Sequence, residues 1–274
     1  MIIKEIQAKS IITKTNLPGG DFVINPYTGC PHACKYCYAR FMKRFTGHKE
    51  EWGDFCDAKI NAPELIPENT DKYKGKQIVI GSVTDPYNPV EEKYKLTRKI
   101  LAKLFPLQPN IDILTKSSLV TRDIDLLKKF NDCNVALSIS VSDEETRKIL
   151  EPGAPSIESK FKALKELHKE GIKTTLFISP IFPFLTNWKG IIKETKEFVN
   201  EYWLENLNLY GSIKKNINNF LRETNPELIK EYEEIYSPQN NYWKEVEEEV
   251  KKFCEEEKVK FKIFFHHKEE RKNA

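Results

Sequence analysis

Three closely spaced cysteines are the residues of this chain best suited to chemistry. Cys30, Cys34 and Cys37 follow the pattern C-x3-C-x2-C within the run Asn25-Pro-Tyr-Thr-Gly-Cys-Pro-His-Ala-Cys-Lys-Tyr-Cys-Tyr-Ala-Arg40. Thiolates are soft ligands that suit iron–sulfur clusters and zinc. Three of them can bind three irons of a [4Fe–4S] cube and leave the fourth iron without a protein ligand. The spacing therefore indicates a cluster that binds a further molecule and reacts with it.

A structural zinc site is the alternative interpretation of these cysteines. It requires a fourth ligand, for which His32, His48 and Cys56 are the candidates. A C-x2-C pair alone would not separate the two interpretations. The x3-then-x2 spacing, placed directly after a first predicted strand, favours the iron–sulfur cluster.

The composition predicts a cytoplasmic protein without a membrane partner. The 274 residues are 39% hydrophobic, and no segment of 18 apolar residues occurs. Lys and Arg number 44 against 41 Asp and Glu, so the net charge of +3 neither demands nor excludes a nucleic-acid partner. Six cysteines in such a compartment argue against a disulfide framework.

Alternating strands and helices predict an α/β fold with a parallel sheet. Six strands are expected, and their number favours a partial (β/α)6 TIM-type barrel over a full eight-fold one. The predicted domains are a barrel over residues 1–210 and a helical C-terminal extension, residues 211–274, packed on it. Residues 1–21 and 46–76 are expected to be irregular. The predicted strands cover residues 22–25, 77–81, 111–114, 135–141, 173–178 and 204–209.

The cysteine motif and several distant stretches together resemble the radical S-adenosylmethionine (SAM) superfamily, and within it the spore-photoproduct-lyase-like group. An aromatic residue, Tyr36, precedes the last cysteine, as in that superfamily. The matching stretches spread over much of the chain, so one chance motif does not explain them. They are residues 25–40, 81–87, 114–118, 135–141 and 151–155.

The resemblance implies a radical enzyme with a [4Fe–4S] cluster and SAM as cofactors. In this superfamily SAM binds the open iron, and an electron from the reduced cluster cleaves it to methionine and a 5′-deoxyadenosyl radical. That radical abstracts hydrogen from a substrate, which the sequence does not identify. A partner such as flavodoxin or ferredoxin is expected to supply the electron. The alternatives are a nucleic-acid repair or modification lyase and a non-enzymatic binding protein stabilised by zinc or a cluster.

The resemblance also assigns residues at the ends of two strands to the amino-acid part of SAM. Ser82, Thr84 and Asp85 follow the second strand, where their oxygens are expected to accept hydrogen bonds from the SAM ammonium group. Lys116 follows the third strand and is expected to pair with the SAM carboxylate. The alternatives are a turn formed by Thr-Asp-Pro and a solvent-exposed lysine.

Four further residues are assigned to the adenosine part of SAM and to radical chemistry. Ser138 and Ser140 share one face of the fourth strand, where their hydroxyls are expected to bind the ribose. Tyr36 is expected to lie against the adenine. Tyr38 is expected to cover the cluster or to take part in radical transfer, with ordinary packing as the alternative.

One position departs from the pattern of spore photoproduct lyase. That enzyme carries a hydrogen-donor cysteine where this chain has Ser82, and a serine O–H bond is too strong to give a hydrogen atom to a carbon radical. Ser82 is therefore a candidate catalytic position with a changed role. Cys133 and Cys254 are expected to be structural. Cys56, in the segment 46–76, is the remaining thiol with a possible place at the site.

Overall fold

The computed structural model describes residues 1–266, and the end of the predicted extension, residues 267–274, lies outside the described residues. The strands are β1 (Ile2–Ile6), β2 (Ile12–Lys14), β3 (Phe22–Ile24), β4 (Tyr27–Thr28), β5 (Phe55–Lys59), β6 (Gln77–Ile80), β7 (Asn110–Thr115), β8 (Cys133–Ile139), β9 (Lys173–Ile181), β10 (Glu201–Asn206) and β11 (Phe261–Ile263). The α-helices are α1 (Glu91–Tyr94), α2 (Leu96–Leu104), α3 (Ile124–Leu127), α4 (Glu144–Leu150), α5 (Ile157–Lys169), α6 (Trp188–Thr195), α7 (Gly211–Thr224), α8 (Leu228–Ile235) and α9 (Tyr242–Glu256). Short 3₁₀ segments cover Tyr38–Phe45, Pro63–Leu65, Asp71–Tyr73, Phe105–Leu107 and Ser118–Asp123.

The main sheet has eight strands in the order β11-β10-β9-β8-β7-β6-β3-β2. Every neighbouring pair is parallel except β2 with β3. Helices lie in the connections from β6 to β11, as parallel strands require. The prediction of an α/β fold with a parallel sheet is confirmed. The sixth predicted strand begins at Glu201, three residues before its predicted start at 204.

Alternate side chains of the sheet face in opposite directions, and one direction leads to the hydrophobic core. In β7, Ile111 and Ile113 are buried and join a core that includes Ile100 and Leu104 of α2. Lys116 continues the opposite, half-buried face just beyond the strand's C-terminal end. The helices thus cover one face, while the polar residues of interest gather along the other.

The two segments predicted to be irregular instead contribute strands, which is a correction. Strand β1 pairs in parallel with β5, and β4 pairs with β5 in the opposite direction, forming a second sheet of three strands. Four of the five residues of β1 are exposed, so its sequence lacks an alternating hydrophobic pattern. Its partner lies some fifty residues along the chain, beyond the range of local sequence patterns. This second sheet holds residues 52–56 beside the cysteine loop, defined as residues 29–37.

The segment after residue 210 covers the sheet and also completes its edge. Helices α7 to α9 connect β10 to β11, and β11 then pairs in parallel with β10. Helix α7 reaches the cysteine loop, where the Asn216 side-chain amide donates to the carbonyl of Lys35 at 3.0 Å. None of the described helices is long and apolar enough to cross a membrane.

Candidate active site

The cysteine loop brings its three thiols into a buried position between β4 and the 3₁₀ segment Tyr38–Phe45. Cys30 and Cys34 are buried and Cys37 is half-buried. Burial raises the pKa of all three thiols, and the neighbouring cysteines raise that of Cys30 and Cys34 further. An incoming iron or zinc ion must therefore displace protons from these sulfur atoms.

Two glycines allow neighbouring segments to approach the backbone of the cysteine loop. A Cβ atom on Gly153 would lie 2.0 Å from the carbonyl oxygen of Pro31. Gly53 has a φ of +111°, and a Cβ there would lie 2.4 Å from the Cβ of Ala33. Real Cβ atoms do not approach this closely, so any larger residue would force the loop apart. The loop is thus enclosed by the segment around Gly153 and by the connection leading into β5.

Glu151, which follows α4, lies at the centre of a buried polar network beside Cys34. Its carboxylate accepts hydrogen bonds from the Tyr36 hydroxyl, from Ser140 Oγ at 2.6 Å and from Lys160 Nζ at 3.0 Å. Lys116 Nζ lies 3.7 Å from the same carboxylate. Residues from the cysteine loop, from the ends of β7 and β8 and from α5 therefore meet at one buried carboxylate.

The carboxylate of Glu151 and the ammonium group of Lys116 each stabilise the charged form of the other. Burial alone would raise the pKa of Glu151, but the ammonium groups of Lys160 and Lys116 hold it below the usual range of a glutamate. Burial acts to lower the pKa of Lys116, but Glu151 and the nearby thiols raise it above its ordinary value. Lys116 Nζ also donates to Ser138 Oγ at 2.7 Å. Lys116 is therefore a fixed cation beside the cysteine loop.

Asp85 holds the end of β7 to the cysteine loop. Its two oxygens accept hydrogen bonds from Thr115 Oγ1 at 2.6 Å and from the Lys116 amide at 2.7 Å. They also accept from the Tyr87 amide at 2.8 Å, and His32 Nε2 lies 3.0 Å away. Burial would raise the pKa of Asp85, but His32 and these donors lower it. Both oxygens are thus engaged within the protein.

Ser82 and Thr84 lie in the segment that follows β6, and Tyr38, which begins the 3₁₀ segment after the cysteine loop, contacts that segment. Thr84 Oγ1 donates to the carbonyl of Gly29 at 2.7 Å. Ser82 Oγ accepts from the Asn25 side-chain amide at 3.0 Å, and the Tyr38 hydroxyl donates to the Ser82 carbonyl. Tyr38 is 52% exposed, so its ring is accessible from outside the protein. Ser82 and Tyr38 are therefore neighbours, as two candidates for radical chemistry would need to be.

The side chains proposed as a fourth zinc ligand are engaged elsewhere. Both ring nitrogens of His32 and of His48 have partners, the latter with Glu50 and Asp57. Cys56 is fully buried in a small hydrophobic cluster with Tyr27 and others. Across residues 1–266, no group of three or more His, Cys, Asp or Glu side chains is arranged to hold a single metal ion. In a cluster each of the three thiolates can bind a different iron, which requires no fourth protein ligand.

The remaining thiols lie away from the cysteine loop. Cys133 begins β8, at the strand end opposite to that of Ser140, and Cys254 is buried on α9. From the sequence, Asn25 and Lys160 had no predicted role at the site, His32 was a candidate only as a zinc ligand, and Glu151 appeared only within the matching stretch 151–155. Asn25 and His32 lie within the quoted cysteine run. The burial of Lys160 beside Glu151 could not be predicted, because a lysine on an amphipathic helix is usually exposed.

Comparison with known proteins identifies the family. A sequence model of the Radical SAM superfamily matches residues 24–198. An uncharacterized protein of Methanocaldococcus jannaschii is 45% identical over 225 residues, covering 82% of this chain and 84% of that protein. A radical SAM Nα-GlyT isomerase of Pseudomonas phage M6 is 26% identical over 160 residues, covering 58% of this chain and 32% of that protein.

Among solved structures, a variant of spore photoproduct lyase with bound S-adenosylmethionine and dinucleoside spore photoproduct shares the fold. Its TM-score is 0.70 at 15% sequence identity, with 97% of this chain and 82% of that chain covered. The protein belongs to the Radical SAM superfamily, because the family model spans more than half of its length. It is accordingly an enzyme whose cofactors are a [4Fe–4S] cluster and SAM, and the predictions of superfamily, enzyme class and cofactors are confirmed.

Proposed function

We propose that this enzyme binds its [4Fe–4S] cluster through Cys30, Cys34 and Cys37 and cleaves SAM reductively to abstract hydrogen from a substrate. The observation that carries the proposal is the buried three-thiol loop beside a fixed cation, Lys116. The strand–helix units from β3 to β10 are proposed to form the partial (β/α)6 barrel over residues 1–210. The proposed extension is residues 211–274, and its described part adds helices α7 to α9 and β11.

Lys116 is proposed to receive the carboxylate of SAM. Its ammonium group has three donors, of which Ser138 takes one at 2.7 Å. The nearby Glu151 balances its charge, so a second carboxylate is attracted less strongly than by an isolated lysine. Ser138 and Ser140 lie on the same face of β8 and are proposed to approach the ribose, with Tyr36 beside the adenine. The Phe182 ring packs edge-on against Tyr36 at 5.5 Å and fixes its orientation.

The contacts of Asp85 change the role proposed for it. Because both of its oxygens are already hydrogen-bonded, we assign Asp85 to positioning the Lys116 backbone rather than to receiving the SAM ammonium group. The ammonium group is instead proposed to meet the oxygens of Thr84 and Ser82, whose hydroxyls each retain capacity to accept. Both residues lie in the segment directly after β6.

When bound, the reduced cluster and SAM supply a carbon radical that abstracts hydrogen from the substrate. The chain's own residues position the reactants and exclude water from them. Ser82 cannot return a hydrogen atom, since its O–H bond is too strong. The phenolic O–H of Tyr38 is weaker, and Tyr38 adjoins Ser82. We therefore assign radical transfer to Tyr38 and a binding role to Ser82.

Nucleic-acid modification or repair is the second candidate function. The structural neighbour described above binds a dinucleoside photoproduct. The 3₁₀ segment Tyr38–Phe45 also exposes Phe41 and Phe45 beside basic residues, with Arg44 stacked on both rings. Aromatic rings and cations of this kind suit single-stranded nucleic acid. Binding of a fluorescent oligonucleotide that weakens steeply with added salt would support this candidate, whereas no binding at low salt would contradict it.

Anaerobic reconstitution with iron and sulfide tests the leading proposal. We expect a brown protein with about four irons per chain that releases methionine and 5′-deoxyadenosine from SAM on reduction. A Cys34→Ala variant should lose this cleavage, because only two ligands would remain. Cys254→Ala, which alters a buried thiol on α9, should retain it. A colourless protein with one zinc per chain, or full cleavage by Cys34→Ala, would contradict the proposal.

A further inference from the structure

Two buried N–H groups beside the cysteine loop have no hydrogen-bond partner. Among the side chains in residues 1–266, the buried nitrogen and oxygen atoms without a partner are Arg40 Nε, Trp52 Nε1 and Trp243 Nε1. Buried donors are nearly always satisfied in folded proteins, so each such group calls for an explanation. Arg40 and Trp52 both adjoin the three cysteines, whereas Trp243 packs against Phe265 at the far end of the chain.

Trp52 is fixed in place against two of the cysteines. Its side chain is only 5% exposed and packs in a small hydrophobic cluster with Cys30, Cys37 and Phe55. The Phe55 ring meets the indole edge-on at 5.8 Å. The close contact between Gly53 and Ala33 holds the neighbouring backbone against the cysteine loop. Trp52 therefore has little freedom to turn its N–H toward water.

The indole N–H of Trp52 completes no hydrogen bond to a protein atom, and its ring belongs to the hydrophobic cluster that contains Cys30 and Cys37. Arg40 is anchored to the same loop, since its Nη2 donates to the carbonyl of Cys34 at 3.3 Å. Two unpartnered N–H donors, Arg40 Nε and Trp52 Nε1, are therefore buried beside the cysteine loop.

We propose that the indole N–H of Trp52 donates a hydrogen bond to a sulfur atom of the [4Fe–4S] cluster and raises its reduction potential. This inference rests on the proposed assignment of Cys30, Cys34 and Cys37 as cluster ligands. Hydrogen bonds to the sulfurs of a cluster stabilise its reduced, more negative state and are one of the means by which proteins set its potential. The reaction begins with the reduced cluster, so this donor makes reduction easier. Trp52 is a positioning residue because it acts through the cluster.

A Trp52→Phe variant removes the N–H and retains an aromatic ring in the same hydrophobic cluster. Trp243→Phe is the matched control, because it removes another buried, unpartnered indole N–H far along the chain. Both reconstituted proteins should contain about four irons per chain. The measurement is an anaerobic redox titration that follows the electron paramagnetic resonance signal of the reduced cluster.

We expect the reduced fraction of the Trp52→Phe cluster, at a fixed solution potential, to fall several-fold relative to wild type. A tenfold change in the ratio of reduced to oxidised cluster corresponds to about 59 mV for a one-electron couple. Trp243→Phe should titrate like wild type. A Trp52→Phe cluster with the wild-type potential would overturn the inference and leave the proposed function intact. A wild-type protein that binds no cluster would refute the proposed function itself.

A measurement on the wild-type sequence covers the case in which Trp52→Phe does not fold. The protein is prepared with tryptophan labelled with ¹⁵N in the indole ring, and the reduced cluster is examined by pulsed electron paramagnetic resonance. We expect a magnetic coupling between the cluster and one indole nitrogen. The absence of any such coupling would overturn the inference.

Discussion

At the residue scale, Glu151 is the group on which the candidate site depends most. Its buried carboxylate links the cysteine loop through Tyr36, strand β8 through Ser140, and helix α5 through Lys160. A buried carboxylate without these partners would be unstable. The same carboxylate compensates the charge of Lys116, the proposed SAM ligand. Glu151 therefore contributes both to the stability of the fold and to the charge balance of the candidate site.

Replacing Glu151 with Gln should destabilise the protein strongly. The substitution retains the shape of the side chain but leaves the ammonium groups of Lys160 and Lys116 buried without a countercharge. We expect the free energy of unfolding in urea at pH 7 to fall by about 3–5 kcal/mol. Glu158→Gln, which alters an exposed ion pair with Lys162 on α5, is the control and should cause no measurable change. Equal stabilities of the two variants would contradict this account.

The pH dependence of the free energy of unfolding should report the ionisation of Glu151. Because the folded protein lowers the pKa of Glu151, its ionisation contributes stability at pH values above the unfolded pKa of about 4.3. That contribution is lost as the pH falls through the lower pKa of the folded state. The advantage of wild type over Glu151→Gln should thus be complete at pH 6–7 and shrink below about pH 4. Unfolding titrations across this range measure the difference, and an advantage that persists unchanged at pH 3 would contradict the assignment.

At the scale of elements, segments from several distant parts of the sequence pack against the cysteine loop. The segment around Gly153 and the connection containing Trp52 and Gly53 enclose it, and α7 contacts it through Asn216. The second sheet holds the connection in place through the pairing of β1 with β5. The geometry of the three thiols is therefore set by parts of the chain that carry no ligand themselves.

Gly53→Ala should impair formation of the cluster. The added methyl group would meet Ala33 at 2.4 Å, and the residue would also keep an unfavourable positive φ. Gly47→Ala shares the positive φ, +71°, but has open space around its Cβ. Both variants should lose the roughly 1–2 kcal/mol typical of a left-handed conformation. Only Gly53→Ala should also lose iron on reconstitution, as measured by iron content per chain, and equal iron contents would refute the enclosing role of this contact.

At the scale of the whole molecule, the strand ends of the main sheet converge on the cysteine loop. Side chains that follow β6, β7 and β8 contact the loop or its neighbours through Thr84, Lys116 and Ser140. Parallel strands direct their C-terminal ends to one edge, which is where α/β proteins usually place their sites. Binding of a cluster at the loop should therefore stabilise distant segments of the sequence together.

Hydrogen exchange can measure this coupling. We expect reconstitution with the cluster to slow amide exchange in residues 29–56, in residues 150–154 and in helix α7, because all three contact the cysteine loop. Helix α9, whose Phe253 packs against Trp188, is the internal reference and should exchange at an unchanged rate. Protection confined to residues 29–37 would show that the loop binds its cluster independently of the surrounding structure.

The sequence was sufficient for features that depend on local spacing. The C-x3-C-x2-C pattern predicted an iron–sulfur cluster, and the matching stretches identified the superfamily. Short apolar segments between predicted helices located the parallel strands, because each of these strands buries a run or an alternating set of apolar residues. The strands β1 and β5 were missed for the opposite reason. Their stability comes from pairing across some fifty residues, and β1 buries little of its own surface.

The sequence by itself therefore determined the superfamily and the α/β order of the chain, and its cysteine spacing predicted a cluster with one open iron. The tertiary structure alone decided which groups surround it. Asp85 was predicted to accept a hydrogen bond from SAM, and both of its oxygens are hydrogen-bonded within the protein. Glu151, Lys160 and Trp52 acquire their neighbours only through folding. The physical reason is that ligand spacing is a local property of the chain. The partners of a buried charge or a buried N–H come from remote segments.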